Sequence, residues 1–213
     1  MARVHGIQEF TYDKFILDNG AVFFGFTDFD DPGTLMGATR DGVTVSIEPE
    51  IREMMVDGAH GPVKKSKRII GSIAKITATF IEHTTANFIK SITGADSTDF
   101  EADWDAVTRA LKFSGIDFVD NIAVVGEVSG DTDPFAVILK NVINNGNFEL
   151  SLVDKDEGGL TVEFTAHSLP ADIASGNDTE PFSIVWPKTD VYLFDSEGVS
   201  LLDSDGVTLI TQQ

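Results

Sequence analysis

The sequence predicts a mainly β fold of the α+β class. Three observations carry this. Apolar and polar residues alternate with a period of two through much of the chain. Turn signals such as Asp41-Gly42 and Asp156-Glu157-Gly158-Gly159 bound those stretches. Clear helical spacing of apolar residues is confined to residues 84–113.

Taken in order, residues 1–34 read as an N-terminal arm. Residues 43–47 (VTVSI) put Val43, Val45 and Ile47 on one face and Thr44 and Ser46 on the other, a half-buried strand opened by the Asp41-Gly42 turn. Residues 48–70 hold Asp57-Gly58, Gly61-Pro62 and the run Lys64-Lys65-Ser66-Lys67-Arg68. Their flanks, 51–56 and from 69 onward, are apolar enough to be strands, so the stretch reads as an extended hairpin with a charged, glycine-containing tip. Loops this long inside a compact domain usually act or bind. Residues 72–82 (SIAKITATFIE) are β-branched and free of Pro, which predicts a strand covered on at least one side. A helix follows over 84–92, capped by Thr84 or Thr85, with Phe88, Ile89 and Ile92 as its stripe and Gly94 ending it.

Residues 99–113 predict an amphipathic helix. Phe100, Trp104, Val107 and Leu111 share a face, acids come early, and Arg109 and Lys112 come late. Residues 121–128, 148–153, 160–167 and 182–186 read as strands. Pro134 could open a helix over 135–143, but the apolar run there suits a buried strand, the reading preferred here. Residues 169–181 form a surface excursion. The segment 195–213 carries two eight-residue units, beginning at Asp195 and Asp203, each an acidic turn plus a short strand. Two copies are too few for a solenoid and predict a small hairpin or strand extension.

Composition narrows the function classes. The 213 residues include 15 Lys+Arg, 35 Asp+Glu and no Cys, for a formal charge of −20. At 42% apolar residues the chain can bury a core and is too hydrophobic for global disorder. The absence of Cys excludes a disulfide framework, thiolate metal sites and a cysteine nucleophile. The acidity argues against a surface built to grip nucleic acid. Residues 1–113 carry 12 bases and 17 acids, whereas residues 114–213 carry 3 bases and 18 acids. The run 64–68 is thus a basic spot in an acidic chain, suited to meeting the acidic surface of another copy. No apolar run follows Arg3 and none approaches a membrane span, so the expectation is a soluble chain made in a cytoplasm, without signal peptide.

Catalytic constellations are not found. His5, His60, His83 and His167 stand at no metal spacing. His167-Ser168 lacks the context of a nucleophile elbow, and no phosphate-cradling or dinucleotide-binding glycine pattern is present. Asp154-x-Asp156-x-Gly158 and Asp203-x-Asp205-Gly206 look like calcium-loop fragments, but the remaining loop ligands are missing and turn chemistry explains both. The expectation is a non-enzymatic protein without metal or cofactor.

A resemblance gives this profile a direction. Residues 35–44 (LMGATRDGVT) are similar to the phrase L-G-A-T-x-G-G-V that opens the first sheet of many bacteriophage major tail proteins, the tail tube subunits. Residues 56–64 (VDGAHGPVK) resemble that family's V-D-G-x-x-G-P-V-K-G. Similarity continues through the strand ending Phe80-Ile81-Glu82, the helix 84–92, and residues 121–125, 139–142, 154–157 and 162–167, covering about residues 35–168. The helix 99–113 and the acidic C-terminal repeat depart from the pattern.

The resemblance implies a barrel-forming β-sandwich over 35–194, with a long hairpin loop at 48–70 and a helical segment at 84–113. Six copies would form a ring around a lumen, and rings would stack through the hairpins. Asp57, Lys64, Lys65, Lys67 and Arg68 would carry the contact between rings. The implied partners are further copies of the chain and the tape-measure, tail terminator and distal tail proteins. DNA would pass an acidic lumen wall without specific binding. The place implied is the virion tail, after synthesis in the host bacterial cytoplasm. The alternatives are an inner tube subunit of a contractile tail or injection system, and a β-sandwich binding or decoration module.

Overall fold

The computed structural model describes residues 15–16, 20–54, 63–109, 111, 117–129, 134–155, 157–175 and 180–187. Their elements are β1 (Ala21–Phe24), β2 (Thr34–Leu35), β3 (Thr39–Glu53), β4 (Lys67–Phe80), α1 (Thr85–Ser91), β5 (Ala95–Glu101), β6 (Trp104–Arg109), β7 (Val119–Glu127), β8 (Pro134–Asn144), β9 (Glu149–Ser151), β10 (Gly159–Thr165), α2 (Pro170–Ala174) and β11 (Phe182–Val185). The fold is mainly β, with antiparallel pairing throughout and two short helices. The C-terminal repeat, His5 and His60 lie outside the described residues.

Nine strands form one sheet in the order β2-β1-β7-β8-β10-β4-β3, with β11 added to β8 and β9 to β10. Strand β8 joins its two halves. One edge of β8 pairs with β7 from Glu127↔Pro134 to Val119↔Val142. Its other edge pairs first with β11, through Ala136 to Leu139, and then with β10, through Ile143 and Asn144. The change of partner falls at Asn141, whose φ is +50° and whose Nδ2 donates to the His167 carbonyl at 3.1 Å.

The sheet curls on itself. Strands β7 and β8 lie between β1 and β10, which would hold β1 and β10 about 14 Å apart in a flat sheet at normal strand spacing. Yet the rings of Phe24 on β1 and Phe164 on β10 meet edge-on at 5.9 Å. The halves therefore face each other and enclose one core. Val22, Ile122, Val124, Val137 and Leu139 enter it from one half, and Ala74, Ile76, Ala78, Phe80, Leu160, Val162 and Phe164 from the other. The alternation read from 43–47, 72–82 and 160–167 is this inner face.

Helix α1 is held to the sheet by amides. Thr84 caps it, accepting from the Asn87 amide at 3.2 Å. Buried Asn87 donates through Nδ2 to the carbonyls of Met36 (2.7 Å) and Glu82 (3.0 Å). Buried Asn144 donates to the Ser91 carbonyl and accepts from the amides of Gly146 (2.9 Å) and Glu163 (3.2 Å). The helix thus buries Asn87 and Ser91, one turn apart, while Phe88 packs against the core margin.

Three sequence expectations are corrected. Residues 99–113 are not a helix: β5 and β6 form a separate two-stranded hairpin. Four Asp, two Thr and one Ser within 95–109 favour turns and extended backbone over helix, and Phe100, Trp104 and Leu111 of the proposed stripe stand exposed. Asp41-Gly42 does not open β3 but bulges within it. Register steps from Arg40↔Thr79 to Val43↔Ala78, with Asp41 and Gly42 at φ of +62° and +78°. Finally, β1 falls inside 1–34, yet it is no detached arm, since it pairs with β7 from Ala21↔Val125 to Phe24↔Ile122. The ambiguous 135–143 is strand, and the excursion 169–181 contains α2.

Candidate assembly interface

The β3–β4 hairpin outruns the body that it starts from. Core contacts stop at Ile47 and Ala74. Beyond them pairing continues from Glu48↔Ile73 to Glu53↔Lys67, with a register shift between Glu50 and Ile51. All of β3 from Glu48 to Glu53 is exposed, as are Lys67 to Ile70 and Ile73 on the opposing strand, while Gly71 and Ser72 between them are half-buried. At the usual rise this shaft projects on the order of 20 Å. Its end is fixed by the Met54 amide donating to the Ser66 carbonyl at 2.8 Å, and by Ser66 donating to the Val63 carbonyl through both N (3.1 Å) and Oγ (2.7 Å). Lys64 and Lys65 occupy a turn there, Lys65 at φ +75°.

The structure therefore brings Lys64, Lys65, Lys67 and Arg68 together, all exposed, at the far end of one hairpin. Asp57 lies outside the described residues. Lys67 stands opposite Glu53. Arg68 stands opposite Arg52, a fifth base that sequence reasoning missed because only the strand register places it here. Neither guanidinium has an ion-pair partner among the described residues. The shaft also exposes Ile51 (53%), Ile69 (64%) and Ile70 (55%). Among the described residues nothing more than the Ile51–Ile69 pairing across the ribbon covers these aliphatics, and clustered exposed apolar side chains mark interaction surfaces.

The sheet behind the arm has two faces of opposite character. Across β3, β4 and β10 the outer face runs Thr44–Thr77–Glu163 and Arg40–Thr79–Thr161. Thr79 and Thr161 hydroxyls meet at 3.1 Å, and Lys75 pairs with Glu163 at 3.1 Å. Arg40 pairs with Glu157 across the same surface. This face is hydroxyl-rich and internally charge-paired. Beside it the outer edge of β3 pairs with no other strand among the described residues.

The histidines within the described residues serve the fold. His83 hydrogen-bonds the Gly158 carbonyl at 3.1 Å and stacks on Phe88, while His167 Nδ1 lies 3.0 Å from the Thr165 carbonyl with its ring against Phe118. Among the described residues no three His, Asp or Glu cluster to hold a metal, and no helix is long and apolar enough to cross a membrane. No protein-family model matches the chain, and no curated protein is significantly similar to it.

Proposed function

We propose that this chain is a structural subunit of a phage tail tube, forming hexameric rings that stack into a hollow conduit for DNA. The observation that carries the reading is the projecting β3–β4 hairpin, whose isoleucines are exposed and whose Arg52 and Arg68 have no ion-pair partner among the described residues. The outer edge of β3, which pairs with no other strand among the described residues, supports it further, since a long unpaired edge is normally protected and ring closure between copies would protect it. The outer face of β3, β4 and β10, hydroxyl-rich and charge-paired rather than acidic as the resemblance implies, offers a phosphate chain no unpaired cation to adhere to among the described residues and suits a lumen wall. Copies of the chain are the main partners in this reading. Tape-measure, terminator and distal tail proteins would bound the tube, and the site of action would be the virion.

Negative-stain electron microscopy of the purified protein at high concentration, beside light scattering, tests the reading. Hollow rings or filaments with a central channel are expected. A particle that stays monomeric as concentration rises, and in the presence of preformed tube ends, would overturn it in favour of a binding or decoration module.

A further inference from the structure

The β5–β6 hairpin mirrors the arm with the opposite charge. In the arm, Arg52 faces Arg68 across the strands, and in β5–β6, Asp99 faces Asp105. Directly opposed residues in antiparallel strands hold their Cβ atoms about 5 Å apart, and like charges so placed are destabilising. Each hairpin carries this mismatch without an ion-pair partner among the described residues. Each ribbon also exposes large apolar side chains at the neighbouring positions, which alternation turns to its other face. These are Ile51 and Ile69 on the arm, and Phe100 (70%) and Trp104 (68%) on β5–β6. Residues 52–68 hold five bases and two acids, while residues 95–109 hold five acids and one base. Both ribbons stand off the main core, with β5–β6 lying beside α1.

We propose that the β5–β6 hairpin of one copy is the seat for the β3–β4 arm of another. Asp99 and Asp105 receive Arg52 and Arg68, with Trp104 at the margin of the contact beside Asp105. The two like-charge pairs form one alternating cluster of four, so each repulsion that a lone copy carries becomes attraction between copies. The inference rests on the proposed self-assembly and names the surface that receives the arm. A second copy is the occupant because the same chain supplies both complementary halves.

Charge exchange tests it. One variant carries Arg52→Asp and Arg68→Asp, a second carries Asp99→Arg and Asp105→Arg, and a third carries all four. Self-association is read by light scattering and folding by circular dichroism. Each of the first two variants alone is expected to lose association. Mixing them, or using the four-fold variant, restores it, because the opposed pairs are again complementary. Association of either two-fold variant at the wild-type level overturns the proposal, as does failure of both the mixture and the four-fold variant to recover. Should a variant misfold, the chain with only Trp186→Phe gives a second readout. Trp104 emission is expected to shift to the blue as copies associate, and an unmoved emission in assembled material overturns the proposal. The two readings fail separately. Hollow tubes whose Trp104 stays exposed sink the seat and leave the tube, whereas exchange-dependent association without hollow rings sinks the tube and leaves the seat. A wild-type chain that never associates sinks both.

Discussion

Asn144 shows how much one side chain can hold. It ends β8, and its amide group joins three segments: the close of α1 through Ser91, the turn at Gly146, and β10 through Glu163. Truncation would orphan two half-buried amides and one buried carbonyl, each costing about 1–3 kcal/mol where water does not replace the partner. We expect Asn144→Ala to lower stability by about 2–4 kcal/mol, seen as a fall in the urea midpoint. A change below about 0.5 kcal/mol, the size of an ordinary surface substitution, would refute the role. Nothing in the sequence singles this residue out, because Asn-Asn-Gly at 144–146 reads only as a turn. Asn87 was hidden likewise. The eye follows Phe88, Ile89 and Ile92 on that helix, whereas the buried stripe is Asn87 and Ser91.

Among the elements, the arm is where local pattern and fold agree best. Apolar flanks, glycines at the tip and a basic run identified a long hairpin, and β3 and β4 pair as far as Glu53 and Lys67. Reversing Lys64, Lys65, Lys67 and Arg68 to Glu is expected to leave the subunit folded, since all four side chains are exposed beyond the core. Tube stacking should be lost. Circular dichroism checks the first expectation and the length distribution of tubes checks the second, with unchanged lengths counting against the arm. Strand legibility failed where a second period competed. Phe100, Trp104, Val107 and Leu111 fit a helical face, but the intervening Asp and Thr residues decide for strands, and Phe100 and Trp104 end up exposed at the hairpin tip. The bulge at Asp41-Gly42 was invisible for a related reason. A turn pair inside a strand differs from one before it only through pairing with β4.

Across the whole molecule, charge is the property most readily read from sequence and the one that bears most directly on DNA. A formal charge of −20 leaves little room for a phosphate-binding surface outside the arm. We expect no retention of duplex DNA by the protein in a mobility-shift experiment at physiological salt. A stable complex there would contradict a conduit that lets DNA slide. The fold class was equally accessible, because period-two alternation survives wherever one face of a strand is buried. The closing of the sheet was not, since the meeting of Phe24 and Phe164 depends on the curl of strands far apart in sequence.

The strand pairing also sets a timetable for folding. Val43 to Phe80 forms a local hairpin, whereas β1 waits for β7, with Ala21 opposite Val125, and β4 waits for β10, with Phe80 opposite Leu160. Hairpins zip in about 1–10 μs, while sheets dominated by distant partners take milliseconds to seconds. A newly made chain therefore displays its isoleucine-bearing arm before the sheet that anchors it has closed. During that interval crowding, chaperone capture and the rate of synthesis, rather than the final stability of the subunit, govern how much of it escapes aggregation.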